Sequence, residues 1–155
     1  MKNYSKSAKI MQLFIRTCYV LLALLAILGT YLINIISFTS TELILLCCVP
    51  FFLVLPAGYA VLICLDKLMG NIKLNIVFST ENTKLFKKIS ICCFYAAIIG
   101  ILSCVSFIIT DSSYVFCIPI FILVCGETFM GLIVMIIESV FHHAIEIKNE
   151  NDLTI

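Results

Sequence analysis

Four uninterrupted apolar runs, each about the length a helix needs to cross a bilayer, dominate this chain. They occupy residues 17–37 (TCYVLLALLAILGTYLINIIS), 43–65, 89–109 and 115–137. A hydrocarbon core about 30 Å thick takes about 20 apolar residues of helix, and inside it every backbone polar group must be satisfied within the segment. Composition leaves no soluble alternative. Of the 155 residues, 63% are hydrophobic and 12% charged, against about 45–50% and about 25% in an ordinary soluble domain. One small core cannot hide that much apolar surface from water. The runs therefore predict an all-α integral membrane protein, a single membrane domain over 1–155. The first run is too long for a signal peptide and has no small-residue cleavage site after it, so it is expected to stay as an anchor.

Charge placement gives the orientation. Lys2, Lys6, Lys9 and Arg16 precede the first run, Lys67, Lys73, Lys84, Lys87 and Lys88 lie in the 66–88 connection, and Lys148 lies in the tail. These ten basic residues all fall on one side, while the short connections SFTSTE and TDSSY hold only Glu42 and Asp111. The positive-inside rule then places both termini, the 66–88 loop and the 138–155 segment in the cytoplasm. Short outer connections make helices 1–2 and 3–4 antiparallel neighbours, so an up-down-up-down bundle is the simplest arrangement. A net charge of +1 builds no field that would recruit nucleic acid directly.

Nine cysteines lie almost wholly within the apolar runs, with no C-x-x-C pair. They read as small hydrophobes, and metal-ligand spacing is missing. No nucleophile–base pair, phosphate-binding glycine loop or paired catalytic carboxylates are present. An enzyme is not expected, and no cofactor or metal is implied.

Glu127, in LVCGETFM, falls ~18 Å along the fourth span, near mid-bilayer. An acid there is expensive, should face protein, and hints at function. Glu127, Gly131, Val134, Glu138 and His142 share one helical face, and Gly131 admits a close helix neighbour. On the third span Ser103, Ser106 and Thr110 form a polar stripe, with Tyr95 deeper. Pro56 leaves the carbonyl of Phe52 without a donor. These residues predict a protonated Glu127 hydrogen-bonded across the bundle to the Phe52 carbonyl or to a hydroxyl, with a proton or ion pathway as the alternative. Glu138, His142 and Glu146 recur every four residues in ESVFHHAIE. There a solvated helical face explains the spacing without a metal. Val140, Phe141, Ala144, Ile145 and Ile147 keep the other side apolar, so the fourth helix should continue as an amphipathic helix toward Lys148, along or just below the interface.

Between the second and third spans, VFSTENTKLFKKIS turns polar. Ser79 or Thr80 can cap a helix, with Glu81 in its first turn. Leu85, Ile89 and Cys92 follow at helical spacing, so this helix should run directly into the third span. The lysines read as a topology anchor touching anionic headgroups, with a docking surface as the alternative. Phe78, Glu81, Asn82, Leu85 and Ile89 here, together with Glu138, Phe141, Ala144, Glu150, Asp152, Leu153 and Thr154 in ESVFHHAIEIKNENDLTI, resemble the pattern of the small four-helix bacterial membrane proteins grouped as domain of unknown function 2975. The resemblance covers nearly the whole chain. The ending ENDLTI is its more specific part, because lipid does not demand it. His142 and His143 stand where the family is often basic or polar, and Glu127 belongs to no motif of the family.

Members of that family are commonly encoded beside a small Cro/CI-type helix-turn-helix protein. The resemblance therefore implies a bacterial plasma-membrane protein that binds or sequesters a cytoplasmic transcription regulator. Leu153 and Ile155, apolar after a polar linker, suit a docking element on the tail, and a frayed end is the bland alternative. The competing readings are a small transporter or channel component with Glu127 in the pathway, which requires a homo-oligomer, and an envelope stress sensor.

Overall fold

The computed structural model describes residues 2–36, 41–74, 76–110 and 117–152. It is all-helical. Four helices follow in order, α1 (Lys2–Ile36), α2 (Thr41–Lys73), α3 (Thr80–Ile109) and α4 (Cys117–Asp152). All four are long and apolar enough to cross a membrane, which makes this a multi-pass membrane protein.

Each helix overruns the apolar run that announced it. Within the 66–88 connection, α3 starts at Thr80 as its capping signal predicted, while α2, expected to end at Leu65, continues to Lys73, leaving 74–79 as a joint. Hydropathy marks where lipid ends, whereas backbone hydrogen bonding carries a helix on into the polar region. Ser79 is the N-cap of α3, in extended conformation, and its side chain accepts from the Asn82 N–H. Glu81 sits in the first turn, favourably placed toward the helix dipole. α3 then runs unbroken into its span, as the spacing predicted. α4 likewise continues without a break through the 138–150 segment. Pro50 and Pro56 lie inside α2 without ending it.

The helix backbones approach one another only in sequence order among the described residues: α1 with α2, α2 with α3, and α3 with α4. Each contact is antiparallel. Gln12, Tyr19 and Gly29 on α1 meet Lys73, Tyr59 and Phe51 on α2. Phe86, Cys93, Gly100 and Cys104 on α3 meet Phe141, Gly131, Val124 and Cys117 on α4. α3 is the centre, with 28% of its span buried against 6% for α1. One core cluster, Cys64 and Leu68 of α2 with Leu85 and Ile89 of α3, also receives Val134 from α4.

The outer faces carry exposed large apolar side chains, among them Leu24, Ile27, Ile98, Leu102, Phe129 and Ile136. In water such faces would aggregate, but in lipid they are solvated. The α3–α4 interface is the most extensive, and small residues make it so. A Cβ on Gly100 would overlap Val124 Cγ2, and one on Gly131 would come within 3.3 Å of Cys93 Cβ and Phe94 Cζ. The Ser90 hydroxyl donates to the Gly131 carbonyl at 3.0 Å, a hydrogen bond between helices that a larger residue at 131 would strain.

Candidate functional site

Two regions hold the chemistry-bearing residues. The first is the end of the bundle where α2 passes to α3. Asn82 is its anchor, with 1% of its surface exposed. Its Nδ2 donates to the carbonyls of Ile76 (2.8 Å) and Val77 (2.7 Å), and its Oδ1 accepts from Asn71 Nδ2 at 2.7 Å. Only a primary amide offers two donors and an acceptor in so short a side chain. Asn82 therefore ties the joint back onto α3 and joins it to the last turns of α2. The neighbouring Thr83, also buried, satisfies its hydroxyl on the Thr80 carbonyl.

Leu85 packs into the core cluster beneath. Above it, Phe78 stacks on Phe141, with ring centroids 5.3 Å apart and planes at 30°. Phe86 meets the same ring at 5.2 Å. Phe78 remains 56% exposed, so the aromatic cluster keeps one open face. The 77–90 segment and the described part of the tail, 138–152, singled out separately in the sequence, thus converge on one end of the molecule.

Glu81 and Glu150 are exposed beside this cluster's helices, while Glu138 is half-buried on α4. Asp152 is the last residue of α4. Leu153 and Thr154 lie outside the described residues, as does Ile155. His142 and His143 both direct Nδ1 toward Glu146, at 3.4 and 3.1 Å, on an exposed face. Among the described residues no three His, Cys, Asp or Glu side chains are gathered as a metal site would require.

The second region is mid-bundle, around Glu127. The carboxylate faces protein. It borders two apolar cavities of about 300 and 340 Å³ that share Val54 and Ala96 as lining. Pro50, Phe51 and Phe107 line the first cavity, and Cys18, Leu22 and Cys92 the second. The expected hydrogen bond to the Phe52 carbonyl or to a hydroxyl is not made: Glu127 has no hydrogen-bond partner among the described residues.

The reason is rotational. α2 turns Pro50, Val54 and Ala57 toward Glu127, and Phe52 lies about 200° around the helix from Val54 or Pro50 at about 100° per residue. The polar stripe on α3 offers Glu127 no hydrogen bond. Ser106 and Thr110 direct their hydroxyls to the carbonyls of Leu102 and Ser106 on their own helix. Ser103 is buried and lines the first cavity with Glu127. Tyr95 lines neither cavity and is 44% exposed.

Sequence reasoning passed over Asn71, Phe86 and Gly100. Asn71 left a signal as a lone amide among the apolar residues closing α2, and Phe86 as the second aromatic of VFSTENTKLF. Gly100 left none, because its importance depends on which residue of α4 faces it.

No curated protein and no solved structure matches this chain. A family model, described as a protein of unknown function, DUF2975, matches residues 12–155. The match spans both halves of the aromatic cluster, the asparagine anchor and the cavity-lining helices, and the chain belongs to the DUF2975 family.

Proposed function

We propose that this protein lies in the bacterial plasma membrane with both termini in the cytoplasm, its helices crossing up-down-up-down. In this reading it acts by binding rather than catalysis, holding or releasing a soluble helix-turn-helix regulator of the Cro/CI type at its cytoplasmic end. The observation that carries the reading is the convergence of Phe78 and Phe86 from one segment with Phe141 from the other. Lipid supplies no reason to tie a joint with a buried asparagine and cap it with a half-open aromatic cluster. Exposed Lys84, Lys87 and Lys88 flank this end, in keeping with the positive-inside rule. An exposed aromatic anchor ringed by charge is the usual make-up of a docking surface.

The test is a crosslinked affinity pull-down of the tagged protein from its native cells, analysed by mass spectrometry. The reading expects a helix-turn-helix protein that is recovered with the intact chain and lost with Phe78→Ala/Phe141→Ala. Loss on deletion of 149–155 would extend the docking surface to the tail. Recovery of no soluble partner at all would sink the regulatory reading.

A second reading has its own support. Glu127 borders both cavities with no hydrogen-bond partner among the described residues, a placement suited to a proton or ion path in a small transporter or channel built as a homo-oligomer. Glu127→Gln separates the two, since lost flux with intact assembly and retained partner binding would favour transport.

A further inference from the structure

Two of the nine cysteines meet across a helix interface. The Cys104 thiol, on α3, lies 3.9 Å from the Cys117 carbonyl oxygen, and the Cys117 thiol, on α4, lies 3.9 Å from the Cys104 carbonyl oxygen. This reciprocity means that each thiol reaches the other residue's backbone across the α3–α4 interface. Both residues are half-buried and reduced. The neighbours Cys47–Cys48 and Cys92–Cys93 stand differently: each pair is consecutive on one helix, where side chains diverge by about 100°.

A disulfide needs Cα atoms about 4.4–6.8 Å apart and a side-chain torsion near ±90°. Each thiol reaching the other residue's carbonyl oxygen places the two cysteines opposite one another across a close-packed interface, the juxtaposition such a bond requires. The helices are held close one turn from Cys104 on α3, where Gly100 lies against Val124, two turns from Cys117 on α4. Cys117 opens α4 and Cys104 lies near the end of α3. The pair therefore sits at the opposite end of the α3–α4 hairpin from Phe86 and Phe141. Ser103, Phe107, Pro119 and Ile120, all close in sequence to the two cysteines, line the first cavity beside Glu127.

We propose that Cys104 and Cys117 are a redox site that forms a reversible disulfide, clamping α3 to α4 at this end of the bundle. The oxidant is a disulfide-exchange donor, either a small-molecule disulfide or an oxidised dithiol protein. One cysteine loses its proton, and its thiolate attacks a sulfur of the donor disulfide. A mixed disulfide forms and one donor thiol leaves. The second cysteine, also deprotonated, attacks the first cysteine's sulfur and expels the other donor thiol. Two electrons pass to the donor, two protons are released from the cysteines, and the donor's two thiolates take up two protons. A dithiol reverses the sequence. The orientation proposed above would present this end to the oxidising side of the membrane, but the pairing itself does not depend on it.

Purified full-length protein in detergent, exposed to glutathione disulfide, tests the pairing independently of orientation. After acid quench, remaining thiols are alkylated and the digest is mapped by mass spectrometry. The expected result is loss of two of the nine thiols, recovery of a crosslinked Cys104–Cys117 peptide as the main bonded species, and full reversal by dithiothreitol. Cys104→Ser and Cys117→Ser should each retain every remaining thiol. Nine alkylatable thiols after oxidation, glutathione adducts without an internal bond, or bonds spread over other cysteine pairs would overturn the proposal. The wild-type peptide map alone decides between these outcomes, even where a serine variant fails to insert.

Discussion

Asn82 and Glu127 are the two polar residues with most at stake, and they stand in opposite conditions. Asn82 is fully used: two donors and one acceptor, all engaged while buried. Asn82→Ala strands the carbonyls of Ile76 and Val77 and the amide of Asn71. At about 1–3 kcal/mol for a buried group left unsatisfied, the expected loss is at least that of one such group. Asn82→Asp keeps the shape but turns an acceptor toward two carbonyls, so it should destabilise no less than alanine. Thermal unfolding in detergent checks both, and an aspartate variant that melts like wild type would mean that Asn82 does not anchor the joint.

Glu127 has no hydrogen bond to lose among the described residues. Glu127→Leu should therefore leave the melting temperature unchanged or raised, because it replaces a polar group bordering apolar cavities with a packing one. A large drop would mean that the carboxylate holds the bundle through a partner.

At the scale of elements, α3 is the hub, and both its start and its middle can be tested. Ser79→Ala removes the side-chain acceptor for the Asn82 N–H. A lost N-cap costs about 1 kcal/mol, seen as a small fall in unfolding free energy with the helix content of the native state unchanged. Gly100→Ala drives a methyl into Val124 Cγ2, and overpacking of this kind costs typically about 1–3 kcal/mol. The double variant Gly100→Ala/Val124→Ala should recover most of the loss. Denaturation of all four forms measures the coupling, and additive losses would mean that the two residues do not press on one another. The same close approach brings Cys104 and Cys117 together, so Gly100→Ala should also slow their crosslinking.

At the scale of the whole molecule, orientation decides which end meets the cytoplasm. The proposed orientation predicts that a fluorescent-protein fusion at the C-terminus fluoresces in intact cells. It also predicts that alkaline phosphatase inserted within 111–116 is active, since phosphatase matures only outside the cytoplasm. The reverse pattern would invert the molecule, moving the aromatic cluster outside and excluding a cytoplasmic regulator from it. The loose packing matters at this scale too. Among the described residues α1 approaches α2 alone, and the cavities flanking Glu127 occupy space that a tighter bundle would fill with side chains. Lipid tails compete with side chains for the same dispersion contacts, so a membrane bundle lacks the hydrophobic force that would close such gaps in water.

Class, the number and approximate place of the helices, a cap at Ser79 or Thr80 and the inward facing of Glu127 were all legible in the residues. Each follows from local rules: the length of an apolar run, one side-chain oxygen near free N–H groups, the cost of a charge in hydrocarbon. Hydropathy could not say where helices end, because α2 and α3 continue beyond their apolar runs into polar and charged residues. Nor could it say what meets what. The Phe78–Phe141 stack, the Asn71–Asn82 hydrogen bond, the Cys104–Cys117 contact and the turning of Phe52 away from Glu127 all depend on the relative rotation of packed helices. Rotation is fixed by which small residues let which backbones approach, and that emerges only when the helices pack.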